Sequence, residues 1–240
     1  MTDMLAPAWR ALALGGACLI CGTTLAALLP QDPVAEPRFK GELLAAWLPR
    51  LVDLDPDTQA AAAFAVGRFG PDAIAAVPSL LRLLGSDEIT RDFQPARAIA
   101  AEAAEALGRI GSATPDVVTT LAGRAQREIG VTRVSHEIAR AALRGIAALG
   151  PGGAPSTEIL TKILLRQMPR HPTPFQDVAP LQREAARALG KIGPAAAAAL
   201  PSLERVAATS GDVLLAMTAR EAVGLIKSAP PPPTQTDEDR

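Results

Sequence analysis

Aromatic residues are nearly missing from this chain: two tryptophans, five phenylalanines and no tyrosine among 240 residues, 3% in all. A β-sandwich fills its pleated faces with aromatic and β-branched side chains, so this palette argues against one. It also argues against a surface that binds nucleic acid by stacking bases on rings. Cysteine is just as scarce. Cys18 and Cys21 are the only two, and both lie in an apolar stretch near the N-terminus. The remainder of the chain therefore holds neither a disulfide framework nor a thiolate metal site. Charge is not in excess in either direction: 24 Lys+Arg stand against 25 Asp+Glu. No global basic field exists to gather a polyanion, and nucleic acid is disfavoured as a partner on this ground too.

The residues of common active sites are equally thin. The two histidines, His136 and His171, are far apart, and neither stands beside a cysteine or a tight carboxylate cluster. That spacing predicts no metal site. Ser135-His136-Glu137 lists the residue types of a hydrolase triad, but triad members meet through the fold, not by adjacency. The tripeptide reads instead as a helix start, with Ser135 as N-cap and Glu137 in the first turn. No glycine-rich phosphate loop is present. The sequence thus predicts no catalytic, cofactor-binding or metal-ligating residue, and the chain reads as a non-enzyme.

What the chain does contain is aliphatic. Apolar residues make up 48%, dominated by alanine, leucine, valine and isoleucine. Alanine and leucine favour helices, and alanine lets helix axes approach closely. Near the N-terminus, Ala11 to Leu29 runs without a charge, preceded by Arg10 and followed by Pro30. At ~1.5 Å per residue this is about long enough to cross a hydrocarbon core. It reads as an uncleaved signal anchor, a cleaved signal peptide, or a buried helix of the soluble domain. The first two readings put the main body outside the cytoplasm, membrane-anchored or secreted.

Internal repetition is the strongest feature of the remainder. Five blocks align: AAAFAVGRFG from Ala61, EAAEALGRIG from Glu102, AALRGIAALG from Ala141, EAARALGKIG from Glu184 and TAREAVGLIK from Thr218. They recur at roughly 40-residue steps with a shorter last one, the period of a two-helix repeat. Each carries an aliphatic residue, a very small one, and a second apolar residue three positions after the first, as in Leu107, Gly108 and Ile110. That spacing places both apolar residues on one helix face. The small residues Gly67, Gly108, Ala147, Gly190 and Gly224 predict close approach by a neighbouring helix. Four blocks end on Gly70, Gly111, Gly150 and Gly193, read as helix stops in the left-handed conformation. Pro71, Pro151 and Pro194 follow three of them and begin the next helix. Pro78 and Pro201 share one offset in two second helices and predict a bend there.

The pattern A-L-G-x-I-G-P followed by an apolar helix resembles HEAT repeats, in particular the short class also found in phycobilisome-lyase-like proteins. The resemblance covers roughly residues 40 to 228. It implies an all-α fold: a right-handed α-solenoid of about four to five HEAT-like helical hairpins, preceded by an N-terminal hydrophobic helix. The predicted organisation is a signal anchor or signal peptide over 1–29, a proline-rich spacer over 30–38, the repeat domain over 39–228 and a proline-rich acidic tail over 229–240. Paired helices are predicted over 56–69 and 72–85, 95–110 and 114–128, 134–149 and 155–168, and 179–192 and 195–209. A last helix follows over 212–227. Residues 39–52 read as a leading helix that caps the stack through Trp47. The proline-rich stretch 166–180 is the irregular connection, read as a surface loop or an insertion that binds.

Second helices of such hairpins line the concave face of HEAT-like solenoids. Each carries a basic residue twelve or thirteen positions after its stop glycine: Arg82, Arg124, Lys162 and Arg205. They read as a ligand-binding ladder for an acidic or phosphate-bearing group or as a row of solvated polar positions beside an apolar seam, with Asp87, Glu88, Glu158 and Glu204 near enough to neutralise a ladder. On the first helices, Glu102, Glu105, Glu184 and Glu221 read as partners in solvated ion pairs. The functional expectation is a non-catalytic protein-interaction scaffold or adaptor, membrane-tethered or exported, that holds a protein or peptide on its concave face. The alternatives are a HEAT-type lyase-like enzyme or enzyme subunit, and a solenoid that binds phosphate or nucleic acid.

Overall fold

Glycine sets where the helices stop. Gly70, Gly111, Gly150 and Gly193 all adopt positive φ, between 55° and 75°, a conformation in which a Cβ would clash with the following carbonyl. The expected helix-stop role is observed at all four. The computed structural model describes residues 36–85, 94–129, 136–166 and 178–228. The chain divides into two units, Met1–Glu36 and Pro37–Arg240, and the description concerns the second. The expected N-terminal hydrophobic helix over Ala11 to Leu29 lies outside the described residues.

The unit is an all-α solenoid. First helices are α2 (Pro56–Arg68), α4 (Gln94–Ile110), α6 (Glu137–Ala148), α8 (Ala179–Ile192) and α10 (Val213–Ser228). Second helices are α3 (Val77–Gly85), α5 (Pro115–Ile129), α7 (Thr157–Leu164) and α9 (Leu200–Thr209). Each first helix packs on the next, and each second helix lies against the first helix of the following unit. One continuous aliphatic core runs from Trp47 to Ile226. Second helices approach one another less closely than first helices do, which leaves room for clefts between them.

Close packing of the first helices depends on their small residues. A Cβ on Gly67 would lie 2.9 Å from the Ala106 Cα, one on Gly108 2.6 Å from the Gly145 Cα, and one on Gly190 3.0 Å from the Ala222 Cα. These distances are below normal contact, so the predicted backbone approach is present at three of the five block positions.

Two expectations are corrected. Residues 39–52 do not form one helix. Strands β1 (Arg38–Phe39) and β2 (Glu42–Leu43) make an antiparallel hairpin with Phe39 opposite Glu42. Lys40 and Gly41 both have positive φ, 50° and 80°, the geometry of a two-residue hairpin turn. A short helix α1 (Leu44–Trp47) follows, then a 3₁₀ segment Leu48–Val52. Trp47 and Leu51 are nonetheless buried against the stack. The second correction concerns Pro78 and Pro201. Second helices of units one and four open with 3₁₀ segments, Gly70–Ala76 and Gly193–Ala199. Each segment is broken at an alanine with ψ near zero or above: Ala73 at 21° and Ala196 at 17°. The prolines stand at the second residue of the α-helices that follow, α3 and α9. There a missing N–H costs little, so they stand in the first turn of the second helices and not in their interiors.

Candidate interaction surfaces

The first-helix side spends its charge internally. Glu105 accepts from Arg109 one turn along α4 and from Arg144 on α6, both at 2.6 Å. Glu105 and Arg144 occupy the same position in adjacent blocks, so this pair bridges two units. Reading ion pairs only within one helix misses it. Block register alone would miss it too, because Arg187 and Glu221 hold the same matching positions with opposite sign and form no ion pair with each other among the described residues. Arg109 also stands 5.8 Å from the centre of the Phe64 ring. Phe64 meets Phe39 at 5.9 Å, and Phe39 meets Trp47 at 6.0 Å. Further along, Arg187 pairs with Glu184, and Arg183 with Asp212 just before α10. Glu102 lies in the same row. Burial, then the neighbouring Glu105, hold its carboxyl above the ordinary range, although Arg109 and Arg144 pull the other way.

The second-helix side carries the four predicted basic residues, and they are not presented alike. Arg82 is exposed on α3. Arg124 is only 2% exposed and does not share an exposed row with the others. Its offset from the stop glycine is thirteen, against twelve for the rest. One residue is about 100° of helical rotation, enough to carry a side chain from a solvent face to a packed one. Unit two also lacks the 3₁₀ opening: α5 starts directly at Pro115. Lys162 is exposed but pairs with Glu158 at 2.6 Å, and this cation lowers the Glu158 pKa through a hydrogen bond and its charge. Arg205 has a different setting.

Arg205 lines an open cleft of about 650 Å³ between the C-terminal ends of α7 and α9. Leu164, Leu165 and Arg166 form one wall, Val206, Thr209 and Ser210 the other, with Gln182 and Leu215 at the base. Helix C-termini would normally make such a place negative. Here several of the terminal carbonyls are already engaged. The Gln182 side-chain amide donates to Leu164 O at 2.9 Å and Arg166 O at 2.8 Å. The Thr209 hydroxyl donates to Arg205 O at 2.8 Å. Among the described residues, no carboxylate forms an ion pair with Arg166 or Arg205. Glu204 is taken by Lys227 at 2.7 Å. Two arginines beside the apolar side chains of Leu165, Val206 and Leu215 can hold a carboxylate-bearing segment, because the guanidinium fork fits that group bidentately. Arg205 was legible from repeat register. Arg166 was not, because it belongs to the end of one helix and reaches this cleft only through the fold.

The chemistry-bearing positions elsewhere add little. His136 is the N-cap residue of α6, with no side-chain cap; Ser135 and His171 lie outside the described residues. So do 167–177 of the irregular loop and the tail from 229. Among the described residues, no group of three or more His, Cys, Asp or Glu is placed to hold a metal.

Residues 44–135 match a family model described as HEAT repeats. Residues 181–209 match one described as PBS lyase HEAT-like repeat. A comparison with curated proteins returns no match. Among solved structures, two crystal structures of engineered proteins from the Northeast Structural Genomics Consortium are similar. One is 22% identical, covering 77% of this chain and 96% of its own, with a TM-score of 0.39. The other is 18% identical, covering 78% and 99%, with a TM-score of 0.42.

Proposed function

Because this chain belongs to the HEAT-repeat proteins, we propose that it is a non-catalytic interaction scaffold whose second-helix side binds an acidic segment of a partner protein. The Arg166–Arg205 cleft carries this reading. There, two cations that form no ion pair with a carboxylate among the described residues stand beside apolar side chains in a cleft with room for a peptide. A peptide carboxylate would exchange water for charge-assisted hydrogen bonds there, and adjacent aliphatic side chains would seat against Leu165, Val206 and Leu215.

The scaffold is proposed to sit at or beyond a membrane. Support comes from the uncharged run Ala11 to Leu29 behind Arg10. Among the described residues no helix is long and apolar enough to cross a bilayer, so a tether falls to that run.

The test is equilibrium binding of a fluorescent peptide of alternating glutamate and leucine to the purified full chain. The reading predicts saturable one-to-one binding that weakens as salt rises and is lost in the double variant R166E/R205E. The variant R82E should bind as the unaltered chain does. Equal binding by all three proteins would remove the cleft as the site. A lyase-like enzyme would instead show turnover of a small molecule by the purified chain.

A further inference from the structure

The two ends of the helical stack are finished differently. At the N-terminal end the outer side of α2 is covered by the segment Leu48–Val52, and Trp47 and Leu51 are buried there. At the C-terminal end, α10 exposes Val213, Leu214 and Met217 at 70%, 59% and 57%. Residues 213, 217, 220, 221 and 224 recur at three- and four-residue spacing, so they share one helix face. That face is opposite the buried Leu215, Ala219, Ala222 and Ile226.

Register identifies what this face was built to meet. Gly67, Gly108 and Gly190 each receive the backbone of the next first helix. Gly224 occupies the same block position, yet among the described residues nothing lies within 4 Å of where its Cβ would be. Glycine weakens a helix interior, and at the internal positions the close approach offsets that cost. At Gly224 the cost is present and no described residue supplies the neighbour. Charge gives a second, independent constraint. Glu105 pairs across units with Arg144, which immediately precedes the Gly145 that packs on Gly108. Glu221 holds the position of Glu105 in the last block and forms no ion pair among the described residues. The complement is therefore an arginine followed by a small residue, on a helix rich in alanine.

We propose that the outward face of α10 docks an amphipathic α-helix of a partner protein, which adds one more member to the row of first helices. The inserted helix places a glycine or alanine on Gly224, its arginine on Glu221, and an aliphatic residue on Met217 and Val213. A second copy of this chain is a poorer occupant. Its own α10 would bring another Glu221 to the same place, and its α2 is already covered. The proposal deepens the scaffold reading and rests on it, but it uses a different face of α10 from the one that reaches the acidic-peptide cleft.

A defined probe exists within the chain: a labelled peptide with the sequence of Glu137 to Leu149, blocked at both ends, which contains Arg144-Gly145. Its binding to the full chain is measured by fluorescence anisotropy, with circular dichroism melts to verify that variants fold. The unaltered chain should bind it one to one. Gly224→Leu should weaken binding at least about tenfold, since open space at this residue leaves the fold intact while the close approach is blocked. Glu221→Arg should weaken binding of the native peptide and restore it for a peptide carrying Arg144→Glu. Absence of saturable binding, or equal affinity in Gly224→Leu, would overturn the proposal. So would sedimentation showing a dimer that Gly224→Leu dissociates, since a second copy would then cover the face. Binding of the acidic glutamate–leucine peptide, measured on the same samples, separates the two readings. Its loss in R166E/R205E should leave the helix peptide bound, and its failure everywhere would remove the cleft without touching α10.

Discussion

Whether filling a single glycine stabilises or destabilises this molecule depends on what that glycine faces. Gly108 and Gly224 hold the same place in their blocks. An alanine Cβ at Gly108 would fall 2.6 Å from the Gly145 Cα, so Gly108→Ala must push two helices apart. Overpacking of this kind costs about 1–3 kcal/mol. Gly224→Ala meets nothing among the described residues and gains helix propensity, about 0.5–1 kcal/mol. Urea unfolding of both variants should shift the midpoint in opposite directions. Glu102 gives a titration test. Its folded pKa is raised, mainly by burial, so its ionised form opposes folding. That penalty is absent below the unfolded pKa and fully present once pH has risen through the folded value. Glu102→Gln should therefore stabilise the chain at neutral pH, and the gain should vanish in acid. The repeat pattern made the glycine roles legible at this scale. The elevated Glu102 was not, because its main cause is burial, which arises only once the helices are stacked.

At the scale of elements, most helices follow from periodicity and stop signals, and the departures occur where a helix begins. Proline after a stop glycine predicts the start of an α-helix, but in three units the chain first runs through a 3₁₀ segment. Periodicity does not separate the two over a few residues, because both keep i and i+3 on one side. The same ambiguity made Pro78 and Pro201 look like interior kinks, and it hid the extra residue that turns Arg124 inward. Helix α2 begins by a plainer device. Asp55 is its N-cap and accepts from the Thr58 N–H at 3.0 Å. Hydrogen bonds from the Thr58 side chain and backbone hold its carboxyl below the ordinary value of 3.8. A lowered pKa contributes stability above the unfolded value that is lost as pH falls through the folded one. Asp55→Ala should lower the melting temperature at neutral pH, with the difference from the unaltered chain closing as pH drops below 3.8.

The whole molecule behaves as a one-dimensional stack, in which each unit touches its neighbours and little else. Damage at one end should stay local. Trp47 is 7% exposed and joins the core beneath Phe39 and α2, and truncating such a residue costs about 3–5 kcal/mol. Trp47→Ala should speed hydrogen exchange in α2 and α3 while leaving α8 to α10 unchanged; uniform acceleration along the chain would contradict the stack. The solenoid itself was legible from the five blocks and four stop glycines. The cleft was not, because Arg166 and Gln182 belong to elements that only meet once consecutive hairpins are stacked. The central claim is that this cleft receives a partner's acidic segment. The most direct measurement places a photo-crosslinking residue at Thr209 on the cleft rim of the full chain in cells. The account predicts an adduct with a protein whose crosslinked peptide is acidic, lost when R166E/R205E is added. An adduct pattern identical to that from exposed Ala198, or unchanged by the charge reversal, would contradict it.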